Sequence, residues 1–208
     1  MTAPTEQLVV AVSSRALFDL EKEHQLFETQ GYEAFRDFQV RKKDEPLKPG
    51  VAFPFVKRFL GLNKLFPNQE PFRVVALSRN SPETARRFFN SCRHYQLPIH
   101  AGAFTSGQST FPYISAFKVS LFLSANAVNV SQAIEAGLPG GLVLPNRMAD
   151  DSDDDDPTLR IAFDFDGVLA DDESERCYQK EGLSAFHKNE MEKAETPHAP
   201  GPLRDLFA

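Results

Sequence analysis

Tryptophan is absent from the 208 residues, and cysteine, histidine and long apolar runs are scarce. The two cysteines, Cys92 and Cys177, provide no disulfide framework, which favours a reducing compartment. The five histidines show no spacing typical of metal ligands. No apolar run approaches the length that spans a membrane, and the first residues lack the basic and apolar regions of a signal peptide. These absences predict a cytoplasmic protein with no membrane partner.

An excess of positive charge is also lacking, because the formal net charge is −6. A general nucleic-acid surface is therefore not expected, and two short basic pieces, 41–43 and 86–87, fit solvated helix faces. With 41% hydrophobic and 25% charged residues, the composition suits a globular protein of one large or two small domains. The sequence leaves a homo-oligomer open.

Short apolar runs alternate with helical patterns over the first 145 residues. Strands are predicted at 8–12, 72–77, 98–104, 119–123 and 140–144. Helices are predicted at 21–38 with a break at Gly31, and at 51–65, 82–96 and 129–136. Such alternation predicts an α/β fold in which helices flank a parallel sheet.

The chain repeats part of itself after an acidic run at residues 150–156. The shared residues, at a constant offset of 151, are Leu8 with Leu159, Gly31 with Gly182, Ala34-Phe35 with Ala185-Phe186, and Pro49-Gly50 with Pro200-Gly201. We therefore expect a first domain over residues 1–149 and a solvated acidic linker over 150–158. Residues 159–208 are expected to be the start of a second, similar unit that stops partway through.

Two aspartates follow an apolar run at residues 161–163, which is predicted to be a buried strand. Because residues two apart in a strand share a face, Asp164 and Asp166 would lie together at its carboxyl end, where open α/β sheets bind ligands. Gly167 would let the chain turn away sharply. Two adjacent carboxylates favour a hard cation such as Mg²⁺. In the alternative interpretation the two aspartates cap backbone amides in a polar turn.

The segment FDFDGVLADDE resembles the first motif of the haloacid dehalogenase-like phosphatases. The resemblance implies that Asp164 is the phosphoryl-accepting nucleophile and that Asp166 is the general acid and base, with both aspartates binding Mg²⁺. Later motifs match in outline, which implies phosphate binding by Ser78 and Lys118 and a weakened metal ligand at Asn126. The alternatives are a helix cap for Ser78 and a surface lysine for Lys118.

Several segments resemble the cytosolic type I 5′-nucleotidases more closely, including AVSSRALFDLEKE, SRNSPETARRF and RIAFDFDGVLADDESE. This resemblance implies Mg²⁺-dependent hydrolysis of nucleoside 5′-monophosphates such as AMP and deoxynucleotides. Members of the family are longer, which makes residues 159–208 the incomplete start of the catalytic half.

The first copy has Ser13 and Arg15 where the second has Asp164 and Asp166, which implies a catalytically degenerate first domain. The alternative function is a non-catalytic nucleotide-binding or subunit-interaction module. A third possibility is a hybrid site, in which the aspartates dock beside Ser78 and Lys118 of the same chain or of a swapped neighbour.

Overall fold

The computed structural model describes residues 7–145 and 156–206. It divides into two compact units, Met1–Leu159 and Arg160–Ala208, which we call unit 1 and unit 2. The boundary lies beside the predicted one. The assignment of residues 1–149 as a degenerate domain and of 159–208 as an incomplete catalytic repeat stays a prediction, and most of the predicted linker, residues 150–155, lies outside the described residues.

Unit 1 is built on a parallel sheet. The strands are β1 (Leu8–Val12), β2 (Phe18–Asp19), β3 (Lys48–Pro49), β4 (Phe72–Ser78), β5 (Gly102–Phe104), β6 (Val119–Ser124) and β7 (Gly140–Leu142). Five of them form one sheet in the order β5-β4-β1-β6-β7, with every neighbouring pair parallel, while β2 and β3 make a short antiparallel pair. The predicted α/β fold is confirmed.

Helices connect the strands of unit 1: α1 (Ser14–Leu17), α2 (Glu21–Arg41), α3 (Phe53–Gly61), α4 (Pro82–His94), α5 (Phe111–Ala116) and α6 (Ala127–Glu135), with a 3₁₀ turn at Leu62–Leu65. Unit 2 contains α7 (Glu173–Glu181), α8 (Leu183–Glu192) and a 3₁₀ turn at Arg204–Leu206. The predicted break at Gly31 is confirmed, since α2 kinks there with φ 81° and ψ −177°. Strand β5 is shorter than predicted, because pairing with β4 begins only at Gly102.

The phenylalanine-rich composition has a structural role in unit 1. Phe18 is fully buried, and its ring centroid lies 5.3 Å from that of Phe88 and 6.2 Å from those of Phe53 and Tyr95. Phe88 also contacts Phe104 edge to face. Aromatic pairs in these geometries contribute beyond the area they bury. Ring packing therefore joins strand β2 of the antiparallel pair, helices α3 and α4, and strand β5 of the main sheet.

Unit 2 lacks the strand predicted at residues 161–163. Residues 156–164 form no regular structure, and Ile161 is 47% exposed. A strand is stable only when a neighbour completes its backbone hydrogen bonds, and residues 160–206 contain no partner strand for this segment. The prediction of a buried strand before Asp164 is therefore wrong for this chain.

Unit 2 nevertheless repeats the local structure of residues 16–53. Gly182 separates α7 from α8 with φ 81° and ψ −179°, as Gly31 divides α2. The Tyr178 and Phe186 rings lie 6.3 Å apart at 81°, and those of Phe27 and Phe35 lie 6.1 Å apart at 84°. The second copy is therefore a repeat in structure as well as in sequence.

The backbone bonds that close each copy also correspond. The Gly201 N–H donates to the Leu169 carbonyl at 2.9 Å, as the Gly50 N–H donates to the Leu17 carbonyl at 2.8 Å. From Leu169 to Leu17 the offset is 152, one more than from Gly201 to Gly50, so the ungapped register is wrong in this segment. The second copy therefore has one extra residue between Asp164 and Leu169 and one residue fewer before Gly182, where the offset is 151 again.

Replacing Gly50 by alanine is expected to destabilise unit 1. An added Cβ would lie 2.8 Å from the Phe18 carbonyl carbon and 3.0 Å from the Ala16 carbonyl oxygen, both of them backbone atoms that cannot move aside. We expect a loss of about 1–3 kcal/mol in the free energy of unfolding, measured by urea denaturation. The control is Gly61→Ala, where a Cβ meets nothing within 4 Å and the helical backbone favours alanine. Equal stabilities of the two variants would contradict the close approach.

The two cysteines are expected to differ in reactivity. Burial raises the pKa of the Cys92 thiol to about 12, whereas Cys177 is half-buried. Because the thiolate is the reactive form, Ellman's reagent should modify Cys177 readily in the native chain and Cys92 only after unfolding. Two fast-reacting thiols in the native protein would contradict the buried position of Cys92.

Candidate active site

The two predicted catalytic aspartates lie on an exposed turn of unit 2. Asp164 has an extended backbone, and its Oδ1 accepts a hydrogen bond of 2.8 Å from the Phe165 N–H. Asp164 and Asp166 are both exposed to solvent. Asp164 therefore caps a backbone amide, as the alternative interpretation of the sequence has it. Within the part of the chain that the structure describes, the turn does not use the second carboxylate oxygen of Asp164 or the Asp166 carboxylate for a hydrogen bond.

The turn after Asp164 is wide. The Ala170 N–H donates to the Phe165 carbonyl at 2.9 Å, which closes one π-type turn over Phe165–Leu169. Gly167 reverses the chain inside it with φ 72°, and its N–H donates to the Asp171 carbonyl at 3.1 Å. Single π-type turns occur often at functional sites. Here the turn holds Asp164 and Asp166 on one short, closed loop.

Asp171 and His198 fasten this loop to the rest of unit 2. The Asp171 N–H donates to the Ala199 carbonyl at 2.9 Å, and the Asp171 carboxylate lies 3.4 Å from Nδ1 of His198. Desolvation opposes ionisation of Asp171, but hydrogen bonds from the Glu173 N–H, His198 and the Ala199 segment hold its pKa below the ordinary value. The His198 ring also meets the Phe165 ring edge to face at 5.8 Å. Sequence reasoning missed His198, which has no motif of its own.

Ser13 occupies the position of Asp164 in the first copy. The backbone angles are φ −74° and ψ 152° at Ser13, against φ −68° and ψ 152° at Asp164. The Ser13 hydroxyl accepts a hydrogen bond of 3.3 Å from the Ala16 N–H. The same backbone position therefore presents a neutral hydroxyl in unit 1 and a carboxylate in unit 2.

A neutral polar cluster lies at the carboxyl ends of β1 and β4, and we call it the serine cluster: Ser13, Ser14, Ser78 and Asn80. The hydroxyls of Ser14 and Ser78 are both buried and lie 3.1 Å apart. The Asn80 N–H donates to Ser78 at 3.2 Å, and the Asn80 amide donates to Ser14 at 3.4 Å. Ser78 is thus not a helix cap but part of a buried hydrogen-bonded network.

Sequence reasoning selected Ser78 from this cluster but missed Ser14 and Asn80. The sequence does contain a pattern that indicates this cluster. A serine, Ser13, follows β1, and β4 and β6 each end in a serine, Ser78 and Ser124. In a parallel sheet these positions share one edge. The chain runs from β1 outward through β4 and β5 and then crosses to β6, so the serines flank the switch point where such sheets bind ligands.

The loop after β5 covers the serine cluster from one side. The Thr105 N–H donates to the Ser78 carbonyl at 3.1 Å, and the Ser106 N–H donates to the Asn80 carbonyl at 3.0 Å. The Arg79 guanidinium donates to the Gly107 carbonyl at 2.8 Å and 3.0 Å. The loop and the segment after β4 therefore form one hydrogen-bonded rim.

The structure does not bring Lys118 to this edge. Lys118 comes immediately before Val119, which pairs with Val9 near the start of β1, whereas Ser78 ends β4. At about 3.3 Å per residue, the backbone of Lys118 lies on the order of 15 Å from the serine edge. Lys118 is exposed, which matches the alternative interpretation of a surface lysine.

Asn126 follows β6 and lies at the carboxyl edge. Its Oδ1 accepts a hydrogen bond of 3.0 Å from the Asn129 N–H, so the side chain is the N-cap of α6. One lone pair of the amide oxygen is thereby used, which leaves Asn126 a weaker ligand for a cation. Its predicted role as a metal ligand stays a prediction.

Among residues 7–145 and 156–206, no three histidine, cysteine, aspartate or glutamate side chains are grouped so that they could hold a metal ion. Mg²⁺, however, commonly binds through one or two carboxylates and completes its shell with waters and substrate phosphate. The exposed oxygens of Asp164 and Asp166 therefore fit this ion by their chemistry. Within the same described residues, no helix is long and apolar enough to cross a membrane.

The parallel α/β sheet of unit 1 and the D-x-D-G-V turn of unit 2 are each features found in the haloacid dehalogenase-like phosphatases. The model of the 5′-nucleotidase family matches residues 1–208, and the chain belongs to that family. Human cytosolic 5′-nucleotidase 1B is 32% identical over 209 residues, which cover 98% of this chain and 34% of the human protein. The chain thus spans about a third of the length of this curated relative. No solved structure gave a significant match.

Proposed function

We propose that this chain contributes a 5′-nucleotidase activity that converts nucleoside 5′-monophosphates to nucleoside and phosphate. Membership of the family and the name of the human relative support the reaction. The observation that carries the residue assignment is the exposed, closed turn that presents Asp164 and Asp166 together. AMP and deoxynucleoside monophosphates are the proposed substrates.

In the proposed first step, a carboxylate oxygen of Asp164 attacks phosphorus and the bond to the nucleoside 5′ oxygen breaks. Asp166, protonated at this stage, gives its proton to the departing oxygen. In the second step Asp166 takes a proton from water, the water oxygen attacks phosphorus, and the bond to Asp164 breaks. The products are nucleoside, phosphate and the original two carboxyl groups.

The family's phosphatase chemistry implies a divalent metal, and we propose Mg²⁺. Asp164 and Asp166 would hold the ion, which would neutralise charge on the phosphate oxygens. The Asp164 carboxylate would still accept the phosphoryl group, and the Asp166 carboxyl group would still transfer the proton.

The experiment is phosphate release from AMP and dAMP by the 208-residue chain. We expect release in the presence of Mg²⁺, loss after chelation, and recovery when the metal is returned. Ribose 5-phosphate, which lacks a base, is the matched control for substrate class and should react more slowly. No release from either nucleotide with Mg²⁺ present would overturn the proposal that this chain carries the activity.

A second candidate function, a non-catalytic nucleotide-binding module, is favoured by the serine cluster. Four neutral side chains stand at the switch point of the sheet, where the backbone equivalent of Asp164 is Ser13. Hydroxyl and amide groups can face a phosphate without the repulsion that a carboxylate would cause. Calorimetry with AMP would then show binding that Ser78→Ala weakens and Asp164→Asn leaves unchanged. Binding that follows Asp164 instead would exclude this function. The hybrid site stays a prediction.

A further inference from the structure

Two pieces of unit 2 that are far apart in sequence lie side by side. We call residues 164–171 the aspartate turn and residues 198–203 the closing segment. Ala170 and Pro200 form an antiparallel bridge between them. The Leu203 N–H donates to the Val168 carbonyl at 3.0 Å. The backbone of the closing segment is therefore fixed against the end of the aspartate turn.

His198, the first residue of the closing segment, adds two side-chain contacts with the aspartate turn. Its ring meets the Phe165 ring edge to face, with the centroids 5.8 Å apart. Its Nδ1 lies 3.4 Å from the Asp171 carboxylate. Phe165 stands between the two proposed catalytic aspartates in the sequence, and Asp171 ends the turn. One imidazole therefore touches both the beginning and the end of the aspartate turn.

Asp171 is a fixed point of this arrangement. Its carbonyl accepts a hydrogen bond of 3.1 Å from the Gly167 N–H, and its own N–H donates to the Ala199 carbonyl at 2.9 Å. Its carboxylate also accepts from the Glu173 N–H at 3.4 Å. Because three backbone contacts hold Asp171 in place, His198 connects the Phe165 ring to a residue that is already anchored.

The first copy contains the same antiparallel contact, and this contact fixes which residues correspond. Phe18 pairs with Pro49 in unit 1, as Ala170 pairs with Pro200 in unit 2. Counted outward from these pairs, the corresponding residues are Asp19 with Asp171 and Leu47 with His198. The aspartate is therefore common to both copies, and the histidine is not.

The difference at the histidine coincides with the difference at the proposed catalytic positions. In both copies the common aspartate accepts a hydrogen bond from the N–H two residues further on, at 3.1 Å and 3.4 Å. The side chain beside it is the buried, apolar Leu47 in the first copy and the partly exposed His198 in the second. The histidine thus belongs to the copy that has Asp164 and Asp166.

The aspartate turn needs to be held from outside if it is to act on phosphate. Asp164 and Asp166 repel each other when both are ionised. Gly167, at φ 72°, is the residue whose backbone can most readily change conformation. In a positioned reaction, a displacement of about 1 Å costs about a hundredfold in rate. A ring packed against Phe165 opposes such a displacement.

We propose that His198 is a positioning residue for phosphoryl transfer: anchored on Asp171, its ring holds Phe165 and so fixes the backbone between the two catalytic aspartates. The inference rests on the proposed nucleotidase function. His198 acts through Phe165 and itself transfers neither a proton nor a phosphoryl group.

The first part of the test is kinetic and uses His198→Leu, which places the residue of the first copy at this position. With Mg²⁺ and AMP, kcat should fall by about tenfold or more and KM should change by less than about threefold, because the turn rather than nucleotide affinity is altered. His187→Leu is the matched control. His187 is exposed on α8, its ring contacts Phe186 at 5.6 Å, and its replacement should leave kcat unchanged.

The second part needs no turnover. The N–H groups of Gly167 and Ala170 close the aspartate turn, and NMR measures their exchange with solvent. In His198→Leu they should exchange about tenfold faster or more, while the Gly182 N–H, which donates to the Tyr178 carbonyl at 2.8 Å, keeps its rate. His198→Asn, whose amide can still donate to the Asp171 carboxylate, should give intermediate values of kcat and exchange.

The outcomes separate this inference from the proposed function. Equal kcat values for His198→Leu and an unmodified chain that hydrolyses AMP would overturn the inference. Equal acceleration of exchange at Gly167 and Gly182 would also overturn it, because the variant would then have loosened unit 2 as a whole. If the unmodified chain releases no phosphate, the proposed function fails and the exchange rates decide: unchanged rates at Gly167 and Ala170 exclude any hold on the turn, and faster rates support it.

Discussion

Asp164→Asn is expected to lower the rate of phosphate release from AMP by about a thousandfold or more, because the amide cannot attack phosphorus and removal of a covalent nucleophile usually costs at least this much. The substitution is nearly isosteric, and the amide oxygen can still accept the hydrogen bond from the Phe165 N–H. Steady-state rates at saturating Mg²⁺ and AMP measure the effect.

Two further variants test the same assignment. Asp166→Asn should lose most of the rate as well, since it removes the proton donor and acceptor. Asp37→Asn is the charge-matched control, because Asp37 is an exposed residue of α2 that pairs with Arg36. A chain with Asp164→Asn that hydrolyses AMP as fast as the Asp37→Asn variant would contradict the assignment of the nucleophile.

Arg87→Ala is expected to reduce the free energy of unfolding of unit 1 by about 3–5 kcal/mol, because it leaves a buried carboxylate without its cation. The Glu23 carboxylate, the Gln39 amide and the Glu45 carbonyl would each lose a donor at once. The change also removes the contact between the guanidinium and the Phe38 ring. Chemical denaturation followed by circular dichroism measures the loss.

The neighbouring residue offers the control for this prediction. Arg86 is exposed on the same turn of α4, so Arg86→Ala should change stability by less than about 0.5 kcal/mol. A loss for Arg87→Ala no greater than that for Arg86→Ala would show that the buried pair does not hold α2 and α4 together.

The sheet of unit 1 could be predicted from local patterns because its strands are covered on both faces. Strand β1 is a continuous apolar run and β4 contains one at residues 74–77, and both indicate buried strands without any knowledge of their partners. The run at residues 161–163 has the same pattern but forms no strand. Pairing is a non-local interaction, and an apolar run does not say whether a neighbouring strand is present.

The candidate site was likewise predictable only where it depends on local sequence. The sequence predicts Asp164 and Asp166 at the end of a buried strand followed by a sharp turn at Gly167, with a polar turn as the alternative; the structure has the turn without the strand. The extra residue that widens it could not be found by an ungapped alignment. The contact between Ser14 and Ser78 joins residues 64 apart, and only the adjacency of β1 and β4 makes it visible.

Lys118 shows the limit of matching motifs by order along the chain. The lysine precedes β6, so in a parallel sheet it belongs to the amino edge, away from Ser78. The sequence placed it next to the other residues because motif order carries no information about which end of a strand a residue lies on.

The central claim is that Asp164 forms the bond to phosphorus, and mass spectrometry of the acid-quenched protein tests it most directly. After brief incubation of the 208-residue chain with AMP and Mg²⁺, we predict one phosphoryl group on the peptide that contains Asp164, labile to hydroxylamine as an acyl phosphate is. The label should be absent from the Asp164→Asn protein, which has no carboxylate to accept the phosphoryl group. A phosphoryl group on another residue, or no label in the unmodified protein while phosphate is released, would contradict the account.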